Sequence, residues 1–149
     1  MKVHWIALLI LIGAAVSIPT VSAQIIEEKD GYVVSTVNGT LLTPEVSLLS
    51  LPSITQGQTD VYSTYVPSGK TAFSSTLTWG SPSNSLSLTI NAPDSQFGPY
   101  YDSSDGITDG HIGLMITRTG GLTQGTWRSY VNGYRVTGSQ AYSYTVMES

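Results

Sequence analysis

The chain has no cysteine, so neither a disulfide nor a thiolate is available to it. Its stability must come from packed side chains. Histidine is nearly absent: there are two, His4 and His111. A zinc site draws on several His or Cys ligands, so it has too few to build one. Charge is scarce as well, with Asp, Glu, Lys and Arg making up 11% of the sequence. The six basic residues are outnumbered by ten acidic ones, which excludes the clustered Lys and Arg that nucleic acid demands. No Gly-x-Ser-x-Gly nucleophile elbow is present. A Ser-His-Asp triad would have to use His111, which reads as an ordinary surface residue at the start of a strand.

Long apolar runs are missing too, except at the N-terminus. Lys2 precedes the run Trp5–Ala15, and Val21-Ser22-Ala23 supplies small residues where a signal peptidase cuts. The run is shorter than the roughly 20 apolar residues of a membrane-spanning helix. Residues 1–23 are therefore expected to be a signal peptide cleaved after Ala23. A retained N-terminal anchor is the alternative. Removing Lys2 leaves five basic residues against ten acidic ones. The remainder has no transmembrane candidate and is expected to be secreted or held at the cell surface.

What is plentiful is Ser, Thr, Gly and Tyr, arranged with period two. Tyr32–Val37 reads as a strand. Asn38-Gly39 is a hairpin signal, and Thr40–Leu42 is a possible return strand. Residues 24–53 read as an N-terminal leader carrying that hairpin, with Ile25–Asp30 a short, mostly charged stretch. From residue 54 to 149 apolar positions alternate along one strand after another. These are Tyr62, Thr64, Val66; Phe73, Leu77, Trp79; Leu86, Leu88, Ile90; Ile112, Leu114, Ile116; Trp127, Val131; and Tyr142, Tyr144, Val146. Each row can cover only one face, so two sheets must press their rows together. The expected fold is all-β, an antiparallel, jelly-roll-like β-sandwich.

Gly57–Tyr62 with Val66-Pro67-Ser68-Gly69, then Leu86–Ile90 with Ala92-Pro93-Asp94, then Gly125–Val131 and finally Tyr142–Val146, follow one another in an order that resembles the pre-peptidase C-terminal (PPC) domain. The resemblance spans about Ile54 to Val146 and is closest to stand-alone archaeal forms. It implies an extracellular accessory or adhesion module without catalytic activity, and related collagen-binding modules bind calcium. Two positions depart from the pattern. Asn84, Ser85 and Ser87 stand where acidic residues are often found, and Ser129 stands where a large apolar side chain is usual.

Asp102, Asp105 and Asp109 lie in one Gly- and Ser-rich run, a composition that suits calcium, with Asp94 or Asp60 as a further ligand. The same Asp-Gly pairs equally make turns in which Asp caps its own backbone. The paired carboxylates that glycoside hydrolysis needs are conceivable among Asp94, Asp102, Asp105 and Asp109, but one loop cannot readily flank a sugar bond. Tyr100, Tyr101, Tyr130 and Tyr134 are candidates for contact with a sugar or peptide. Tyr130 is out of phase with Trp127 and Val131 and so should face outward; Tyr101 is the other ligand-binding candidate. Asn38-Gly39-Thr40 is an N-glycosylation pattern. The leading expectation is a binding module for an extracellular polysaccharide, protein or envelope component. A structural envelope subunit joined through sheet edges and a small secreted hydrolase are the competing readings.

Overall fold

The computed structural model describes residues 23–37 and 51–149. The expected signal peptide, the Asn38-Gly39 hairpin and the Asn38 acceptor site lie outside the described residues. Eleven strands follow in order: β1 Ile25–Lys29, β2 Tyr32–Thr36, β3 Ser53–Thr55, β4 Thr59–Val66, β5 Ala72–Thr78, β6 Ser85–Asn91, β7 Gln96–Tyr101, β8 His111–Arg118, β9 Gly125–Arg135, β10 Ser139–Ala141 and β11 Ser143–Glu148. A single turn of 3-10 helix, Asp102–Asp105, follows β7. All pairings are antiparallel. The larger sheet has the order β1-β2-β8-β5-β11 and the smaller β4-β9-β6-β7, with β10 and β3 forming a separate ribbon. The expected all-β sandwich is what forms.

The period-two rows meet between the two sheets. Leu88, Leu114 and Val131 are buried, together with Phe73, Leu77, Leu86, Ile90 and Ile116. At the centre Trp127 of β9 stacks on Phe73 of β5, with ring centroids 4.8 Å apart. Phe97 of β7 lies 6.3 Å from the same indole, and Tyr32 of β2 meets both rings edge-on. At one flank of the core, Tyr62, Tyr142 and Tyr144 pack together. Tyr142 donates to Asp60 at 2.6 Å, and the Tyr62 and Tyr142 hydroxyls share a 2.6 Å hydrogen bond. Burial raises the Tyr142 pKa, helped by Asp60 and Tyr62. Tyr144 donates to Ser129 at 2.6 Å, so its ring occupies the volume that the small Ser129 leaves. Burial pushes the Tyr144 hydroxyl up to about 12.

The segment read as a leader contributes to the sandwich itself. β2 lies between β1 and β8, and it supplies Tyr32 and Val34 to the core. The sheet therefore begins earlier than residue 54. β1 is the charged stretch Ile25–Lys29, now seen as an edge strand, where Glu27, Glu28 and Lys29 blunt further pairing. Glu27 also reaches the opposite sheet and accepts a hydrogen bond from the buried Tyr100 hydroxyl. Burial raises the Tyr100 pKa, and the Glu27 carboxylate raises it further.

Candidate functional site

An inner strand of the smaller sheet, β6, shapes the site. In β6 the apolar row Leu86, Leu88, Ile90 points into the core, so Ser85, Ser87, Thr89 and Asn91 must point out. Yet Ser85 and Ser87 are only 8% and 7% exposed. Longer side chains on either side stand above them. Cross-strand register puts Thr59, Asn132, Ser87 and Tyr101 in one row across β4, β9, β6 and β7. A second row joins Val61, Tyr130 and Thr89. Short hydroxyl side chains thus make a floor, and aromatic and amide side chains make walls.

The resulting trough has a volume of about 400 Å³ over Ser87, Thr89 and Asn91, walled by Gln96, Tyr101, Tyr130, Asn132 and Tyr134. Asn132 is held in place, its amide donating to Thr59 Oγ1 at 2.8 Å and to the Gln58 carbonyl at 3.1 Å. The Tyr101 and Tyr134 rings lean together with centroids 4.7 Å apart. Beyond that pair the trough continues as a second depression of about 320 Å³, bounded by Ser85, Asp102, Thr108 and Arg135.

A β-bulge builds this second part. Ser87 pairs with Asn132, but Ser85 pairs with Arg135, so Leu86 faces both Gly133 and Tyr134. The extra residue on β9 re-aims the chain. Consecutive residues Tyr134 and Arg135 then line the same depression, which strict alternation would forbid.

Asp102 closes the far end and is buried, at 4% exposure. Its Oδ1 accepts backbone N–H bonds from Asp109 at 3.1 Å, Gly110 at 3.0 Å and His111 at 3.3 Å, and Oδ2 accepts from Gly110 at 3.2 Å. It folds the following loop back toward β8. Asp105 likewise accepts from the Ile107 N–H at 2.9 Å. Replacing Asp102 with alanine strands three amides, each costing about 1–3 kcal/mol if left dry, and water can reach part of the loop. We expect a loss of about 2–4 kcal/mol in urea denaturation, and a smaller loss for Asp102→Asn, which keeps an acceptor. Equal stability of wild type and Asp102→Ala would show that the carboxylate does not hold the loop.

The other carboxylates serve elsewhere. Asp94 pairs with Arg118 at 2.9 Å and accepts from Thr123 at 2.7 Å and Tyr32 at 2.8 Å. Burial alone would raise its pKa, but the hydrogen bonds from Thr123 and Tyr32 and the Arg118 charge outweigh it and hold the carboxyl below its usual range. Asp60 accepts from Tyr142 and Gln58. Asp109 is exposed. Among the described residues, no three acidic or histidine side chains gather as a metal cluster would require. As placed, Asp102 and Asp105 accept backbone N–H bonds, Asp94 meets Arg118, and Asp60 meets Tyr142 and Gln58. His111 is half-buried beside a cleft of about 10 Å³, room for little more than one water.

Of the tyrosines singled out in the sequence, Tyr101, Tyr130 and Tyr134 meet at the trough, whereas Tyr100 packs into the core. The serine floor, Asn132 and Arg135 were not foreseen. The Ser-x-Ser-x-Thr alternation of β6 was the available signal for the floor. No protein-family model matches the chain, and no curated protein matches it either.

Proposed function

We propose that the chain is a secreted, non-catalytic binding module that holds a polysaccharide in the trough across the smaller sheet. The observation that carries this reading is the lining of the larger depression. It pairs tyrosine rings with hydroxyls and side-chain amides and contains no charged residue. Sugar rings present an apolar C–H face and a rim of hydroxyls. Aromatic faces suit the first, and Asn, Gln, Ser and Thr, which both donate and accept, suit the second. The volume lies within the roughly 300–1,000 Å³ of small-ligand sites. An open trough also lets a chain run out at its ends.

A binding role rather than hydrolysis is supported by the one carboxylate in the second depression, Asp102. Asp102 is committed to backbone amides, and glycoside hydrolysis needs two free carboxyl groups flanking the bond. The PPC-like order of strands favours the same reading, an accessory module at the cell exterior.

Affinity electrophoresis through gels containing soluble polysaccharides tests the proposal. Wild-type protein should be retarded by at least one of them without releasing reducing ends. Tyr101→Ala and Tyr134→Ala should each weaken that binding roughly tenfold while leaving the melting temperature nearly unchanged. Retardation that ignores both substitutions would place the ligand elsewhere.

A further inference from the structure

We infer that the polysaccharide is a uronic-acid polymer, and that Arg135 takes a sugar carboxylate at the end of the trough beside Tyr134. This rests on the trough being the binding site.

The first ground is an inversion of charge. The chain carries ten acidic and six basic residues. The four strands of the smaller sheet carry Arg128, Arg135 and a single acid, Asp60. Asp60 lies on the core-facing row of β4 with Tyr62, where the Tyr142 hydroxyl meets it. The outer face of this sheet is therefore cationic in an acidic chain. Random placement of scarce charge gives no reason for that, whereas an anionic ligand does.

The second ground is the bulge. It places Arg135 next in sequence to Tyr134 and in the same depression. The one ion pair among the described residues joins Arg118 to Asp94, so Arg135 has no carboxylate partner there. Asp102 shares the depression, but it is buried, both its oxygens accept backbone N–H bonds, and it makes no ion pair with Arg135.

The third ground is geometric. In a uronic acid the carboxylate projects from the rim of the ring whose C–H face stacks. Neighbouring Tyr and Arg side chains match that juxtaposition. A guanidinium fork meets a planar carboxylate through two parallel N–H bonds, which a lysine could not supply. The neutral lining over Ser87 and Thr89 would then hold the hydroxyl rims of the following rings.

The test titrates wild type, Arg135→Gln, Lys70→Gln and Tyr101→Ala with polygalacturonate and alginate, with the carboxyl-reduced, neutral form of each polymer, and with dextran sulfate. We expect wild type to bind one acidic polymer at least tenfold more tightly than its reduced form. Arg135→Gln should abolish that preference and retain the weaker binding of the reduced form. Lys70→Gln, whose ammonium instead donates to the Glu148 carbonyl at the far edge, should behave as wild type. Equal binding of acidic and reduced polymers by wild type, or binding of neither, overturns the inference. A preference that survives in Arg135→Gln overturns it as well. Dextran sulfate binding as tightly as the uronate polymer reduces the effect to unspecific charge. Binding that persists unchanged in Tyr101→Ala sinks the trough reading itself, separately from the question of charge.

Discussion

Trp127→Ala should remove about 3–5 kcal/mol of stability, the range for truncating a large aromatic in a well-packed core. The indole has 0% exposure and sits between Phe73 and Phe97, with Tyr32 against its edge. Its Nε1 donates to the Thr123 carbonyl at 3.0 Å, so alanine also leaves that carbonyl without its donor. The four rings come from strands of both sheets, and no small shift of one strand can close the void. Domains of this size are stable by about 5–15 kcal/mol, so the loss is a large share of the whole. With no cysteine, no disulfide limits the damage. Trp127→Phe should cost less, because it keeps most of the stacking area and loses mainly the hydrogen bond and some volume. Urea denaturation followed by fluorescence measures both, with the buried Trp79 remaining as reporter. A loss under about 1 kcal/mol for Trp127→Ala would mean that the two sheets are not closed over this residue.

The strands that sequence reasoning located are those whose apolar residues alternate over two or more repeats. β2, β4, β5, β6, β8, β9 and β11 each carry such a row; it is buried in β2, β5, β6, β8 and β9, while Tyr62 and Thr64 of β4 and Tyr144 and Val146 of β11 are half-buried. Four strands escaped notice for identifiable reasons. β1 is mostly charged because it is an edge, and β3 and β10 have three residues each, too few to show a period. β7 contains Gly98-Pro99 and a register shift opposite Leu88 and Ile90, so its burial alternation is broken. The same logic divides the site. Tyr130 was legible as outward-facing because β9 is regular from Trp127 to Val131. Arg135 was not, because its aim depends on one extra residue in the strand, and periodicity cannot reveal a bulge. Asp102 illustrates a different limit. A carboxylate in a Gly-rich loop is equally suited to a cation or to backbone amides, and only the fold of the loop decides which donors or acceptors reach it.

Gly133→Ala should lower stability by about 2–4 kcal/mol and weaken ligand binding at the same time. Gly133 is one of the two residues opposite Leu86 in the bulge. A Cβ there would lie 2.2 Å from the Thr55 carbonyl oxygen and 3.0 Å from its carbon. Neither atom is the end of a flexible side chain. The backbone that would have to yield is fixed from both directions, since Gly57 donates to the Gly133 carbonyl at 2.8 Å and Gly133 donates to the Gln58 carbonyl at 2.9 Å. Relief of the clash requires β9 to move away from β3 and break these bonds, and the residues that move with it are Tyr134 and Arg135. A melting temperature lower by on the order of 10 °C is expected, with polysaccharide affinity reduced even at temperatures where the variant is fully folded. Gly138→Ala separates the two causes. Gly138 has φ +73 but no atom within 4 Å of a new Cβ, so alanine there brings only backbone strain, about 1 kcal/mol, and should leave binding intact. If Gly133→Ala were no worse than Gly138→Ala in either measurement, close contact between β9 and β3 would not be what sets the bulge, and the placement of Tyr134 beside Arg135 would need another cause.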